Sequence, residues 1–454
     1  MSDAPVPYRP STAHADLGCG FYDPVEPAEF PMRKLRYRDE RWAARIGLAG
    51  LDETGFEKHF ARFEPLPDNH PRPLALRYHG HQFQHYNHEI GDGRGFLFAQ
   101  AHDRQGRLLD LATKGSGRTP WSRSGDGRLT LKGGIREVLA TRMLEALGVY
   151  TSKSLALYET GEALMRGDEP SPTRSSVLTR LGHSHIRIGS FQRFAAFGDA
   201  LRIERLLAHG VRHYLPQSAR PATGAQAAAF LGEVCRNVAR LCAQWMIAGF
   251  VHGVLNTDNI VITGESFDYG PYRFLPNYDP GFTAAYFDET GLYAYGRQPQ
   301  AVQWNLYRLA ECLSLVAEVE PLKEAVSRFE GAFAESLGAS AVWRLGLRPG
   351  SPAQDRGLAD RLFSFLKAAS PPFEQVMFDW RGGISRRAKA LAGPAAACYR
   401  GEAFESFARA LDEYEATPST AAAEAYFGAD RPATLLYDDI EALWAPIAAN
   451  DDWS

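Results

Sequence analysis

Two oxygen-bearing side chains lie nine residues apart in the stretch His252–Gly270, HGVLNTDNIVITGESFDYG: the amide of Asn259 and the carboxylate of Asp268. A hard divalent cation takes oxygen ligands, and Mg2+ is commonly held by one or two protein groups plus phosphate oxygens. Upstream, Lys114 ends the apolar run LLDLATK, where a strand can aim an ammonium into a cleft, and Glu137 follows on a helical stripe. Arg180 and Arg187 are seven residues apart in LTRLGHSHIRIG, and Arg118, Arg123 and Arg128 stand among small residues in KGSGRTPWSRSGDGR. Guanidinium forks suit phosphate oxygens. The turn GDGRG at 91–95 can leave backbone N–H groups free for the same ligand. Each feature also has a plainer reading as a turn, a hairpin end or a solvated surface charge. Their order along the chain favours a site for a cation and a phosphorylated ligand. His79, His81, His85 and His88 have spacings that fix no helix or strand face, and read as packing and loop hydrogen bonds.

The elements needed to position these residues are legible in the apolar pattern. GFLFAQAHD and LLDLATK read as two strands joined by a turn at Gln105-Gly106. Apolar residues at 135, 138, 139, 143, 144 and 147 predict a helix over 133–148, closed by Gly148. Residues 162–176 read as a polar loop, 226–249 as a long buried helix, 259–263 and 266–268 as a short strand pair, and 301–319 as another helix. Gly270 offers a sharp turn after Asp268. Residues 1–35, rich in Pro, Asp and Ala, read as a loosely packed arm; beyond about 320, helices alternate with Gly and Pro breaks. The order predicts an α+β protein with two lobes and the chemistry between them.

Bulk properties exclude little. The 454 residues are 45% hydrophobic and 23% charged with net charge −4, which suits a globular chain with no general attraction to nucleic acid or acidic membrane. Five scattered cysteines suggest neither a disulfide framework nor a zinc site. The start, MSDAPVPYRP, lacks a signal pattern, and no apolar run is long enough to span a bilayer, so a cytoplasmic location is expected.

The loop resembles a protein-kinase catalytic loop, His-x-Asp followed by Asn, a strand and Asp-Phe-Gly, except that Val254 stands where the catalytic Asp is expected. Lys114 and Glu137 resemble the kinase pair in which Glu holds a phosphate-contacting Lys. More specifically, GHQF (80–83), IGDGRG (90–95), LATKGSGRTPWSRSGDGR (111–128), LTRLGHSHIRIGSF (178–191), GFVHGVLNTDNI (249–260) and DYGPYRFL (268–275) are similar to the selenoprotein O family, also called YdiU. That resemblance implies a protein-kinase-like bilobal fold, with a strand-rich N-lobe over about 1–185 and a mainly helical C-lobe over 186–454. It implies transfer of AMP from ATP to Ser, Thr or Tyr hydroxyls of proteins, with the nucleotide reversed relative to a kinase. By the same resemblance Gly91, Gly93, Arg94, Lys114, Asp126, Gly127, Arg180 and Arg187 contact the nucleotide, Asp258 accepts the proton, and Asn259 and Asp268 bind Mg2+ or Mn2+. A γ-phosphate phosphotransferase and a catalytically silent nucleotide-binding pseudokinase are the alternatives. Three departures stand out: Gln84 and the His-rich run to His88, Trp121 in place of a usual Tyr, and a C-terminal part without the paired cysteine or selenocysteine motif of many members.

Overall fold

The computed structural model describes residues 6–454. Its first half is built on a nine-stranded sheet with antiparallel pairings. The strands of this half are β1 (Pro10–Ser11), β2 (Tyr22–Pro24), β3 (Lys34–Arg38), β4 (Leu74–Leu76), β5 (Gly80–Gln82), β6 (His85–Asn87), β7 (Leu97–His102), β8 (Leu108–Lys114), β9 (Leu129–Thr130), β10 (Lys153–Leu164) and β11 (Thr173–Gly182). The main path runs β2-β4-β7-β8-β11-β10-β3; β1 pairs with β7 and β9 with β11, while β5 and β6 form a separate hairpin. Every residue of β8 is buried, as expected of a near-continuous apolar run in a central strand. Helices α1 (Glu40–Arg45) and α2 (Glu53–Phe60) cover one face; α3 (Leu131–Ala146) crosses behind β10 and β11.

The second half is helical. It comprises α4 (Ile188–Ala196), α5 (Ala200–His213), α6 (Thr223–Ile247), α7 (Gln298–Leu313), α8 (Val319–Ser327), α9 (Phe329–Arg344), α10 (Pro352–Ala369), α11 (Phe373–Asp379), α12 (Arg387–Ala390), α13 (Glu402–Leu411), α14 (Ala421–Gly428) and α15 (Tyr437–Asn450), with the small ribbon β12 (Phe250–Val251) and β13 (Arg273–Phe274). Helix α6 is the axis of this half: Phe230, Leu231, Val234, Val238, Leu241 and Trp245 are buried along it. None of the helices among the described residues is long and apolar enough to cross a membrane.

Four expectations are corrected. The arm over 1–35 is closely packed where it is described: β1 extends the sheet, and Ala13, Leu17, Phe21, Val25 and Phe30 enter the cores; residues 1–5 lie outside the described residues. In the polar stretch 162–176 the loop is confined to 165–172, and both flanks are strand. Its buried hydroxyls are satisfied: Thr160 donates to Ser175 Oγ (2.6 Å) and Ser176 to the Thr130 carbonyl (3.0 Å), so polarity does not break the ladder. The strand pair 259–263 and 266–268 does not form. Instead the backbone of 260–262 bonds to Ile186 and Ile188, and Ser266 bonds to Tyr150 and Ser152. The helix expected over 301–319 runs Gln298–Leu313, with Pro299 in its first turn.

A strap joins the two ends of the chain. Asp451, just beyond α15, accepts from Lys34 (2.9 Å), Arg36 (2.6 Å) and Arg174 (2.7 Å), while the Trp453 ring lies 4.6 Å from the Arg36 guanidinium. Trp444 packs against the cluster containing Leu131 and Val138 of α3, and Glu441 pairs with Lys132 at 2.7 Å.

Burial holds several histidines neutral. It pushes His14, His70 and His183 down to about 4 and His209 down to about 3. Unfolded histidines protonate near 6.5, so between about pH 4 and pH 6.5 the unfolded chain binds more protons than the folded one, and stability is lost as pH falls through that window. Glu265 and Asp258, raised by burial to about 7 and about 6, act in the opposite sense but are fewer. The thermal midpoint is expected to fall when the pH is lowered from about 7 to about 5, as read by circular dichroism melts; an unchanged or rising midpoint would contradict the buried neutral histidines.

Candidate active site

The site is centred on Lys114, the last residue of β8. Its ammonium is 5% exposed and reaches Glu137 on α3 and Asp268 Oδ1 at 2.6 Å. Helix α3 is set for this by its start, where the Thr130 hydroxyl accepts from Gly133 N (3.1 Å) and caps the first turn. Asp268 is the hub of the positive side. Arg180 on β11 lies 3.4 Å from the same Oδ1. Burial alone would raise this carboxyl, but Lys114, Arg180 and Arg94 hold it well below the usual carboxylate range, so it is ionised. The turn expected at Gly270 is made at Asp268 itself, which adopts a left-handed backbone (φ 63°), and Gly270 N bonds back to the Asp268 carbonyl. Asp is among the few non-glycine residues that tolerate this region.

Two further contacts fix the loop that carries Asn259 and Asp268. His252 Nε2 lies 3.1 Å from the Phe267 carbonyl, next to Asp268. Asn259 Nδ2 donates to the Val254 carbonyl at 2.9 Å, which leaves its Oδ1 with no hydrogen bond among the described residues. Asp268 Oδ2 is likewise without one. Val254, where a kinase-type base would stand, contributes this carbonyl to the loop.

Asp258 sits in the short helical turn Thr257–Asn259. Among the described residues its Oδ1 has no hydrogen-bond partner and almost no accessible surface, and its Oδ2 is met only by Gln82 at 3.5 Å. Burial raises this carboxyl to about 6, against the lowering effect of Arg187. The hairpin β5–β6 covers it: the Thr257 hydroxyl accepts from His81 N (2.7 Å), Asn256 Oδ1 accepts from Phe83 N (3.0 Å), and a Cβ at Gly80 would approach Asp258 Oδ1 to 3.3 Å.

A cavity of about 680 Å³ gathers these groups. Lys114, Arg180, Arg187, Asp258 and Asp268 line it together with Gly91, Gly93, Arg94, Asp126 and Gly127. Glu137 lies behind Lys114, and Asn259, 8% exposed, is beside Asp258 in the chain but not in the cavity wall. Arg123 and Arg128 also line the cavity; Arg118 does not. The Gly-rich turn is shaped by Trp121: a Cβ at Gly91 would come within 2.5 Å of the indole. The indole itself is held by Nε1 donating to Asp23 (3.0 Å). Gly127 adopts φ 72°, which a side chain would strain. Asp126 is paired with Arg166 of the 165–172 loop at 2.8 Å. Seven cationic side chains face four carboxylates around the cavity, a balance suited to a polyanion.

Some participants were not singled out in the sequence. Asp92, between the two turn glycines, holds Arg187 at 2.9 Å, and the Tyr78 ring lies 4.2 Å from the same guanidinium. Asp92 was readable within GDGRG; Tyr78 and Gln82 carried no local signal. In the histidine run, His79 Nδ1 is 2.7 Å from the Tyr86 hydroxyl and His81 Nδ1 is 2.6 Å from Gln192 Nε2.

Comparison with known proteins places the chain in a family. A family model described as protein adenylyltransferase SelO matches residues 6–454. A Gloeobacter violaceus protein named protein nucleotidyltransferase YdiU is 43% identical over 98% of this chain and 92% of its own length. Proteins of the same name from Synechocystis sp. and Cereibacter sphaeroides are 50% identical over 71% of this chain and 67% of their own length, and 37% identical over 82% and 76%, respectively. With a match that runs through both the sheet and the helical half, the chain belongs to the SelO family and is a nucleotidyltransferase.

Proposed function

We propose that the cavity binds ATP with a divalent cation and transfers AMP to Ser, Thr or Tyr hydroxyls of protein substrates, releasing pyrophosphate, within a protein-kinase-like bilobal fold. The observation that carries this is the pairing of an ionised Asp268, gripped by Lys114 and Arg180, with an Asp258 carboxyl that lines the same cavity and is met only by Gln82 among the described residues. The first arrangement suits a cation and phosphate oxygens; the second suits a proton acceptor.

The donor set fits Mg2+ or Mn2+. Asp268 Oδ2 and Asn259 Oδ1 are oxygens without hydrogen bonds among the described residues, as a hard cation requires. The ion, when bound, would neutralise charge on the phosphate oxygens and the pyrophosphate leaving group. Lys114, Arg180, Arg187 and Arg94 would orient the triphosphate and stabilise the charge that spreads in the transition state. Asp258 would take the proton of the acceptor hydroxyl as its oxygen bonds to the α-phosphorus and the bond from that phosphorus to pyrophosphate breaks. Asp258 and Asp268 are the carboxylates of the His252–Gly270 stretch that line the cavity; with Val254 in place of the kinase-type base and Asp268 committed to Lys114 and Arg180, Asp258 is left as the proton acceptor of this reading. The names of the relatives, nucleotidyltransferase and adenylyltransferase, support the same choice.

ATP labelled at the α or the γ phosphorus separates the readings. Covalent α-label on protein, and no γ-label, is the expected outcome; γ-label alone would mean a phosphotransferase, and nucleotide binding without either label in the presence of a protein acceptor mixture would mean a silent binder. Asp268→Asn should lower transfer by about a thousandfold, on the scale of removing a charge-stabilising group and its ion together, and full activity would remove Asp268 from the site. Asp258→Asn should lower kcat about a hundredfold or more while ATP affinity, measured by calorimetry, changes little; equal loss of both would give Asp258 a structural role.

A further inference from the structure

A second groove, about 460 Å³, opens beside the nucleotide cavity and shares Arg94, Lys114, Arg128 and Arg166 with it. Its outer wall is the segment 280–294, which lacks regular secondary structure beyond isolated turns yet is firmly held. The buried Asp288 carboxylate accepts the backbone N–H groups of Leu292 and Tyr293, both at 2.8 Å. This arrangement presents Tyr286, 84% exposed, and Phe287, 48% exposed, side by side with ring centroids 5.1 Å apart. Two large aromatic rings held out at the mouth of a cleft are the mark of a docking surface rather than of a core.

The shelf is mechanically continuous with the chemistry. Phe287 meets Phe83 edge-on at 5.8 Å, Phe83 N is bonded to Asn256, and the neighbouring Gln82 is the side chain that meets Asp258. The groove also opens onto the nucleotide cavity, which Asp258 lines, through Arg94, Lys114, Arg128 and Arg166. The opposite wall is cationic. Arg136 donates to the carbonyls of Gly270 (3.3 Å) and Tyr272 (3.1 Å), and Arg273 lies 4.2 Å from the Tyr437 ring; neither has a carboxylate partner among the described residues. Lys132, by contrast, is matched by Glu441. The groove's other acids are Glu137, which is paired with Lys114, and Asp168 and Glu169 of the β10–β11 loop.

We infer that this groove docks the acceptor polypeptide, and that it selects a segment with an apolar side chain for Tyr286 and Phe287 and a carboxylate for Arg136 and Arg273, next to the acceptor hydroxyl. This rests on the reading of the cavity as a site of transfer to protein hydroxyls. The complementarity is of two kinds: buried aromatic contact supplies affinity, and unmatched guanidinium groups supply sign.

The test uses the full chain and two fluorescent peptides that differ only in Glu or Lys flanking a central Tyr and Leu. Fluorescence anisotropy with ATP present should show the Glu peptide binding about tenfold more tightly, Tyr286→Ala weakening it about tenfold, and Arg273→Glu removing the preference. ATP affinity should be unchanged in Tyr286→Ala. Equal binding of the two peptides, or Tyr286→Ala binding like the parent protein, would overturn the docking groove. Following α-label on the same peptides separates this from the reaction itself. Preferential binding without label would overturn transfer to hydroxyls and leave the groove, whereas equal kcat/KM for both peptides would overturn the groove and leave transfer.

Discussion

A buried ammonium must be matched by negative charge, because an unpaired ion away from water costs several kcal/mol. Lys114 is matched twice, by Glu137 from the helix crossing behind the sheet and by Asp268 from the loop after the long helix α6. These two carboxylates belong to different halves of the molecule. The single cation therefore sets the position of α3 against the sheet and of the helical half against both. Arg180 extends the arrangement by sharing Asp268, and Arg187 repeats it one strand-end later with Asp92 of the Gly-rich turn. The cavity is what remains between these charge pairs.

The charge pairs also give the two carboxylates of the site different proton affinities. Asp268, surrounded by cations, stays ionised and presents an open oxygen; Asp258, enclosed by the β5–β6 hairpin and nearly without donors, is raised toward neutrality. Environment alone separates them, since the residues are chemically identical. The hairpin that encloses Asp258 is followed by Phe83, whose ring meets Phe287 of the aromatic shelf.

What the sequence disclosed follows from the range of the forces involved. Strands β7 and β8, helix α3 and helix α6 were legible because apolar periodicity is a local signal. The residues later found around the cavity were legible as types: a strand-end lysine, glycine turns and spaced arginines carry their chemistry with them. Three things were hidden. The strand expected at 259–263 is held by single bridges to Ile186 and Ile188, partners more than seventy residues away that no local pattern reveals. The turn after Phe267 fell on Asp268 instead of Gly270, because the surrounding cations reward that carboxylate's placement more than a glycine's freedom. The polar stretch 162–176 read as loop because its buried hydroxyls find their acceptors only once β10 and β11 pair.

The strap at Asp451 reaches Arg36 across 415 residues. During synthesis the chain emerges in order, so Lys34, Arg36 and Arg174 stand on the rim of the sheet long before their shared counter-ion leaves the ribosome. Until then Arg36 and Arg174 have only Glu159 to share, Lys34 is hydrated, and the β3 rim lacks its cover, a period in which an unshielded strand edge invites contact with other nascent chains. The three cations are themselves a safeguard over that interval, since like charges on an edge repel a second edge of the same kind.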